Sequence, residues 1–469
     1  MGAFHFILHL EIFMTKTLFS FLILAGAALS MLTNSVSAQD APAQLTPAQF
    51  KAQVDAELVR DLKLWYPLSI DAERGGYHSI ISREWKLQPY ETKGIVQQAR
   101  MVWVAAEVAL RRPEWRKTME PISHQGAKFV ANKMWDAKYG GFYWEVKADG
   151  TPLTDENSEM KHAYGIAFAI YGLANAYRLT GDEAILNRAV EGFRWLDEKG
   201  HDAVNGGYVE AFYRDGTQML CPPKDRPDVV KGKTRELLGC KSMNSHLHLL
   251  EAYIELYKVW KDPVLRSRLE ELVVIMRDKV TTWPGAMRQF FRADWTPAAT
   301  YVSFGHDIET AYLIEEALEV LGTPDDAKTL EVCRNLVDHA LEFGWDKTNG
   351  GFYYDGATFG AEPADSTKFW WVEAEGLNSL LRMYVRYGDQ RYYDLAVKQW
   401  EFIDSKIIDA EYGGWYPVVD ADGGNPRGLD NRFSQVSHGL EKAHLWKTAY
   451  HEVRALLNAS DMLEKCIKK

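Results

Sequence analysis

Several apolar segments of this chain carry a thin line of polar side chains at helical spacing. In one segment Asn244, His248 and Glu251 occupy i, i+4 and i+7, and in another His306 and Glu309 are three residues apart. Residues at these separations share one face of an α-helix. Four more segments show similar lines, which are formed by Lys93, Gln97 and Arg100; His162 and Tyr164; Trp370, Trp371 and Glu375; and Lys447, His451 and Arg454. Because buried polar groups are costly unless satisfied, such lines converging on one axis indicate a functional pocket.

The abundance of histidine in these lines points to proton transfer, since histidine titrates near neutral pH. The two His-x-x-Glu pairs can also be read as metal ligands. Metal sites with that spacing usually add carboxylates from other helices, so we predict no metal. The glutamates can instead fix the tautomers of the histidines. A carboxylate pair for glycoside hydrolysis is an alternative, as is a structural role for any single histidine. The prevalence of His and Arg favours carbon-acid chemistry.

A repeated signature indicates which elements position these lines: an Asp, three residues, Gly-Gly and an aromatic residue. It occurs at 71–77, 136–142, 202–208, 346–352 and 409–415. The aspartates are 65, 66, 144 and 63 positions apart, and a degenerate segment at 285–291 lies in the long gap. A fixed period of this kind indicates six repeated units of about 65 residues each.

Pairs of predicted helices lie between the signatures. They span 161–178 with a second helix to about 198, 241–260 with 265–279, 306–321 with 326–343, and 368–387 with 390–407. In each segment apolar residues recur every three or four positions, and Gly-Asp or Asp-Pro pairs separate the helices. Gly-Gly supplies the positive φ of a tight turn, after which the aromatic begins a short strand. The sequence therefore predicts an all-α (α/α)6 barrel with short β-hairpins between helix pairs. An open solenoid is the alternative.

Bulk properties exclude some classes of function. The chain has 469 residues, a net charge of −11 and a pI near 5.7, which argue against a nucleic-acid-binding protein. Its 16 Trp, 23 Tyr and 20 Phe suit stacking on sugar rings, but they also suit a large core.

The N-terminal residues have the pattern of a secretory signal peptide. Lys16 precedes an apolar run at 18–32, and Val36-Ser37-Ala38 resembles a cleavage site. We expect a signal peptide over residues 1–38, a single domain over 39–469, and export to the periplasm or medium of a bacterium. The run is short for a membrane span, so we expect no stable membrane insertion after cleavage, with an uncleaved anchor as the alternative. In an exported protein the spacing of Cys221 and Cys240 permits a disulfide.

Five motifs resemble the N-acylglucosamine 2-epimerase superfamily, and within it they are most similar to the cellobiose 2-epimerases. They are KGIVQQARMVW at 93–103, MKHAYGIAFAIYGL at 160–173, KSMNSHLHLLEAY at 241–253, SFGHDIE at 303–309 and WWVEAE at 370–375. They follow the family's order, and the resemblance covers roughly residues 50–457. It implies an (α/α)6 barrel and an isomerase that needs no cofactor and no metal.

The resemblance also implies roles for single residues. His306 and His451, the latter in WKTAYH at 446–451, would be the two general acid/bases, with Glu309 orienting His306. His248 would assist ring opening or position O1. The implied sugar-binding residues are Arg100, Asn244, His162, Tyr164, Glu251, Trp371 and Trp446. The implied reaction inverts C2 of a reducing-end aldose through a cis-enediolate.

Near its C-terminus the chain departs from the disaccharide epimerases. They usually carry GPWKCPYHNGR where this chain has HLWKTAYHEVR at 444–454. We expect a sugar 2-epimerase that acts on a β-1,4-linked disaccharide such as cellobiose or mannobiose. The alternatives are an aldose–ketose isomerase or 2-epimerase of a monosaccharide (mannose, glucose or N-acylglucosamine), a periplasmic glycoside hydrolase, and a non-catalytic sugar-binding protein. The expected partner is a small sugar and not a nucleic acid, and the expected state is a monomer or homodimer.

Overall fold

The computed structural model describes residues 45–153, 160–219, 240–298, 301–357, 363, 365–424, 426 and 439–468. Leu45–Lys469 forms one compact unit. The expected signal peptide at 1–38 and the side chains of Cys221 and Cys240 lie outside the described residues, so both expectations stay predictions. Within the described ranges, no helix combines the length and the apolar composition that a membrane crossing requires.

The described part of the chain contains twelve α-helices that alternate between two layers. The inner helices are α2 (Ile95–Arg111), α4 (Ala163–Thr180), α6 (Met243–Val259), α8 (Phe304–Leu321), α10 (Trp370–Tyr387) and α12 (Tyr450–Lys468). The outer helices are α1 (Pro47–Trp65), α3 (Pro113–Lys133), α5 (Glu183–Gly200), α7 (Pro263–Ile275), α9 (Ala327–Phe343) and α11 (Gln390–Phe402). Short π-helical turns, Met276–Val280 and Ile403–Ile407, extend α7 and α11.

The inner helices form a closed ring. Each one contacts the next, and α12 contacts α2, which joins the last unit to the first. Each outer helix packs on an inner one, with α1 covering α12. The predicted (α/α)6 barrel is therefore confirmed, and the open solenoid is not observed. Closure is possible because the inner helices bury most of their residues against the neighbours on both sides, most completely in α4, which is apolar nearly all round.

Short antiparallel strands rim one end of the ring. Five ladders pair β1 (Thr92–Gly94) with β2 (Glu145–Lys147), β3 (Met160–His162) with β4 (Ala211–Tyr213), β5 (Cys240–Ser242) with β8 (Phe290–Arg292), β9 (Tyr301–Ser303) with β10 (Asp355–Ala357), and β11 (Lys368–Phe369) with β12 (Val418–Val419). Each ladder joins the strand before an inner helix to the strand after the next outer helix. A bridge between Ile81 and Ala443 closes the sixth position.

The Gly-Gly turns differ in one detail from the predicted hairpins. In all five turns both glycines have φ between 64° and 82°, as predicted. Each turn, however, is closed by a single β-bridge, such as the one between Ile70 and Tyr77. The longer ladders join strands that lie on either side of a whole helix pair. Only the degenerate unit makes a local hairpin among the described strands, between β6 (Thr281–Thr282) and β7 (Ala286–Met287).

Three inner helices begin later than the apolar pattern indicated, whereas α8 begins two residues earlier. Lys161, Lys241 and Lys368 lie in strands, and their helices start two residues further on. The predicted breaks between helices are confirmed. Asp182, Asp262, Asp326 and Asp389 cap the outer helices that follow by accepting hydrogen bonds from backbone N–H groups.

Buried lysines that precede the inner helices explain why the repeated signature contains an aspartate. A buried lysine lies 2.8–3.1 Å from the aspartate of each turn, in the pairs Lys93–Asp71, Lys161–Asp136, Lys241–Asp202, Lys368–Asp346 and Lys442–Asp409. Lys368 also donates to the carbonyl of Gly350, at 2.5 Å. Burial opposes ionisation of Asp346, yet the hydrogen bond from Lys368 lowers its pKa to about 2. Each pair therefore ties a Gly-Gly turn to the strand that precedes an inner helix.

Replacing Lys368 with methionine should destabilise the barrel strongly. Asp346 would be left as a buried carboxylate without its cation, which costs about 3–5 kcal/mol. The measurement is the free energy of unfolding in urea. The control is Arg116→Met, because Arg116 and Glu120 form an exposed i, i+4 pair whose loss costs about 0.5 kcal/mol or less. Equal, small losses in both variants would contradict a structural role for the buried pairs.

Candidate active site

The predicted site residues gather where the inner helices begin. All eleven lie in the first nine residues of an inner helix or just before one. Together with Arg454 and Glu375, ten of them form a continuous series of contacts, and Asn244 is the exception. Its Oδ1 is buried without a hydrogen-bond partner among the described residues.

A buried guanidinium lies at the centre of this cluster. Arg454, from α12, bonds Glu251, Glu309 and Glu375, which belong to α6, α8 and α10. It also donates to the hydroxyl of Tyr450. All four charged side chains are at most 3% exposed. Although burial opposes ionisation of Glu251, Arg454 and His248 lower its pKa to about 2. Burial outweighs Arg454 at Glu375 and raises the pKa of that carboxyl.

Two of these carboxylates hold histidines. His248 Nδ1 lies 2.9 Å from Glu251 Oε2, and His451 Nδ1 lies 2.7 Å from Glu375 Oε1. An ionised carboxylate only accepts, so Nδ1 of each histidine carries a proton and is the nitrogen that the carboxylate holds. No described residue bonds either Nε2. The expectation that a glutamate fixes the tautomer of His248 therefore holds in the structure.

The expectation that Glu309 orients His306 is wrong. Glu309 points to the barrel axis and bonds Arg454. His306 Nδ1 instead lies 2.8 Å from the hydroxyl of Ser303, one turn back along the chain. The buried guanidinium attracts the carboxylate more strongly than a neutral imidazole does, and this decides between the two partners.

An aromatic surface joins His306 to His451. The ring centroid of Trp371 lies 4.6 Å from that of His306 and 5.8 Å from that of His451. Trp371 is partly exposed, whereas His451 is 5% exposed. The two imidazoles therefore lie beside one indole that a sugar ring can cover.

The opposite side of the cluster holds Arg100. Its guanidinium donates to the carbonyl of Trp446 and to the hydroxyl of Tyr164, each at 3.0 Å. The rings of Tyr164 and His248 meet edge to face, with centroids 5.0 Å apart. Arg100 Nε is buried without a partner among the described residues, so this cation keeps a donor to offer.

His162 has a more structural place than predicted. Its Nδ1 accepts from the backbone N–H of Tyr164 and caps α4, which puts its proton on Nε2. That nitrogen faces the buried carboxyl of Glu210 at 3.5 Å. The ring also packs against Trp144, which in turn packs against Trp446. His162 therefore lies at the wall of the site, with Nδ1 engaged in the helix cap.

Two members of the polar lines are not in the site. Lys93 belongs to β1 and pairs with Asp71, and Lys447 precedes α12 and pairs with Glu452 at 3.1 Å. Sequence reasoning noted Glu375 and Arg454 in the lines but gave them no role, and it missed Ser303. The spacing of Trp371 and Glu375, which share α10, contains no signal that they meet His451, because His451 belongs to α12.

Two groups of side chains here have the donors of a metal site: His248, Glu251 and Glu309, and Glu309, Glu375 and His451, each within 4.8 Å. Both groups include carboxylates that bond Arg454. That guanidinium already supplies the positive charge these carboxylates share, and a metal ion would have to displace it. The donors therefore fit the existing ion cluster better than a metal ion.

The surroundings favour neutral histidines. Burial, together with nearby His248 and Arg100, lowers the pKa of His306 to about 3. Burial and Arg100 also lower the pKa of His451 well below its usual value, against the opposing charge of Glu309. Both imidazoles are thus free bases at neutral pH, ready to accept a proton.

The family model of N-acylglucosamine 2-epimerase matches residues 75–431. The chain belongs to this family. It is 31% identical to the cellobiose 2-epimerase of Bacteroides fragilis over 408 residues, which cover 86% of this chain and 97% of that protein. The structure of a cellobiose 2-epimerase from Spirochaeta thermophila DSM 6192 superimposes with a TM-score of 0.77, at 31% identity, over 90% of this chain and 98% of the other.

A more distant relative is the D-mannose isomerase of Marinomonas mediterranea, which is 22% identical over 86% of this chain and 95% of that protein. The family and these relatives confirm two predictions. The chain resembles the cellobiose 2-epimerases, and it is an enzyme of the isomerase class, a carbohydrate epimerase.

The imidazole of His306 should stay neutral from pH 8 to pH 5. Its pKa lies below the usual 6.5, so the proton binds only in more acidic solution. Long-range ¹H–¹⁵N spectra of protein labelled at histidine would follow the titration, with His306→Asn used to assign the signal. A midpoint near 6.5 would contradict the buried environment described here.

Proposed function

We propose that this enzyme is a 2-epimerase of free reducing sugars, best of a β-1,4-linked disaccharide, and that His306 and His451 exchange the C2 proton. The observation that carries the proposal is the arrangement of these two imidazoles beside Trp371. Their Nδ1 atoms are held by Ser303 and Glu375, and their Nε2 atoms have no partner among the described residues.

The reaction begins with ring opening, which makes the C2 proton acidic because it lies α to an aldehyde. One imidazole takes this proton through Nε2 as the C2–H bond breaks. The electron pair moves through C1 to the carbonyl oxygen and gives a cis-enediolate. The other imidazole, which takes up a proton from solvent before this step, gives that proton to the opposite face of C2, and the first imidazole afterwards returns its proton to solvent. The aldehyde re-forms with C2 inverted, and the ring closes.

Charged residues of the cluster supply the electrostatics of these steps. Arg100 retains a buried N–H without a partner, which suits the oxyanion of the enediolate. Glu375 lies against Nδ1 of His451, so it balances the imidazolium that forms when His451 takes a proton. His248, whose Nδ1 is held by Glu251, serves ring opening or holds O1. Asn244 contributes its free carbonyl oxygen to a sugar hydroxyl.

The proposal of a disaccharide substrate rests on the relatives. The cellobiose 2-epimerase of Bacteroides fragilis is 31% identical and is matched over nearly its whole length, whereas the D-mannose isomerase is 22% identical. An aldose–ketose isomerase is the second candidate, because it would use the same enediolate and return the proton to C1. A glycoside hydrolase is disfavoured, since Glu251, Glu309 and Glu375 are all engaged with Arg454.

Incubation in D₂O with cellobiose, mannobiose, lactose, glucose, mannose or N-acetylglucosamine should place deuterium at C2 of one or more sugars. We expect a C2 epimer, detected by NMR, and a loss of epimer formation of at least about 10³-fold in His306→Ala and in His451→Ala, because inversion needs one imidazole on each face of C2. A ketose product would select the isomerase. Cleavage of disaccharides without deuterium exchange at C2 would contradict the two-histidine mechanism.

Replacing Glu375 with glutamine should lower kcat about 10- to 100-fold with little change in KM. The amide no longer balances a charged His451, and the imidazole loses the partner that fixes its orientation. The matched control is Glu373→Gln, on the same helix. Glu373 is also fully buried, but it accepts from the backbone of Phe352 and from Gln399. Equal losses of kcat in Glu375→Gln and Glu373→Gln would show that either substitution in α10 impairs the enzyme, and would contradict a specific role for Glu375.

A further inference from the structure

Ser303 breaks a local rule of helix structure. It precedes the first residue of α8, the N-cap position where a serine hydroxyl normally accepts a hydrogen bond from a backbone N–H of the first turn. Ser303 makes no such bond. It is 3% exposed, so its hydroxyl is not directed to solvent either. An N-cap serine whose hydroxyl does not cap its helix indicates that the hydroxyl has another role.

Ser242 shows what the same position does in the neighbouring unit. It precedes α6, is 1% exposed, and ends the strand β5 as Ser303 ends β9. Its hydroxyl accepts from the backbone N–H of Ser245 at 3.0 Å and thereby caps the helix. The same hydroxyl donates to the carboxyl of Glu210 at 2.8 Å. The two serines therefore share a position in the fold but differ in their partners.

The hydroxyl of Ser303 is directed to Nδ1 of His306, at 2.8 Å. No other described side chain hydrogen-bonds this imidazole. Trp371 contacts its face without a hydrogen bond, and Glu309 is held by Arg454. The direction in which Nε2 of His306 points therefore depends on Ser303.

The partner of His306 also differs in kind from those of the other two site histidines. Glu251 and Glu375 are carboxylates, which in their ionised form only accept, so they hold His248 and His451 in one tautomer. A hydroxyl both donates and accepts. It can accept from Nδ1 when Nε2 is the free base and when the imidazole is protonated on both nitrogens, and it can donate to Nδ1 in the tautomer in which Nε2 carries the proton.

We propose that Ser303 is the positioning residue of His306, and that its hydroxyl keeps Nε2 aimed at the reacting carbon in each protonation state of the imidazole. This inference rests on the proposed function, in which His306 both takes and gives the C2 proton. It gives Ser303 the role that the sequence pattern assigned to Glu309.

The test compares Ser303→Ala with Ser303→Thr, which keeps the hydroxyl. We expect kcat of Ser303→Ala to fall about 10- to 100-fold, because the imidazole of His306 is no longer held in its orientation. KM should change less than about threefold, because the residues that contact the sugar are unchanged. The threonine variant should recover most of kcat. The urea midpoint of the alanine variant should stay near that of the native chain, since no capping bond is lost.

Ser242→Ala is the matched control, with the opposite expectation. It loses a helix cap, so its urea midpoint should fall, while its kcat should remain within about threefold of the native value. Native kcat in Ser303→Ala, or a kcat loss that tracks a lower urea midpoint as a folding defect would, overturns the proposal. If Ser303→Ala does not fold, the same comparison is made between Ser303→Cys and Ser303→Thr, and equal kcat values there overturn it.

A second readout separates this inference from the proposed function. In histidine-labelled protein, Ser303→Ala should shift the imidazole ¹⁵N signals of His306, and Ser242→Ala should leave them unchanged. Native protein that exchanges no sugar at C2 refutes the epimerase, and the ¹⁵N signals still decide whether Ser303 holds His306. Unchanged His306 signals in Ser303→Ala refute the positioning role even in an active epimerase.

Discussion

The site depends on one buried cation. Arg454 reaches from α12 to carboxylates on α6, α8 and α10, so a single guanidinium ties together four of the six inner helices. A charge this deep is tolerated only when it is paired, and each carboxylate would be costly without it. Two of those carboxylates, Glu251 and Glu375, then fix the imidazoles of His248 and His451. The orientation of two site histidines thus follows from the need to neutralise Arg454.

The same cluster sets the proton affinity of the site. Three carboxylates face one guanidinium, which leaves an excess of negative charge beside His248 and His451 when all are ionised. Burial and the charge of Arg100 oppose protonation of His306 and His451. These two imidazoles therefore rest as free bases, while Glu375 already supplies a counter-charge for a proton that reaches His451. Preorganised charge of this kind needs no rearrangement during the chemical step.

A different set of buried ion pairs holds the frame. In each of five units a lysine before an inner helix bonds the aspartate of a Gly-Gly turn, which joins the end of an outer helix to the start of an inner one. The bridge between Ile81 and Ala443 repeats this junction between the first and last units. The inner helices consequently all begin at the same end of the ring, and their polar first turns meet there.

The sequence by itself determined the repeated units of paired helices, because the Gly-Gly turns and the helical spacing of apolar residues can be read from the chain, whereas the contact of α12 with α2 decided that the ring closes. The sequence also identified His248, His306, His451 and Arg100 through their polar lines and the family resemblance. Only the tertiary structure decided which groups pair. The choice of Ser303 over Glu309 for His306, of Glu375 for His451 and of Asp71 for Lys93 depends on distances between separate elements. The spacing of residues along one helix carries no information about those distances, because they depend on how each helix packs against its neighbours.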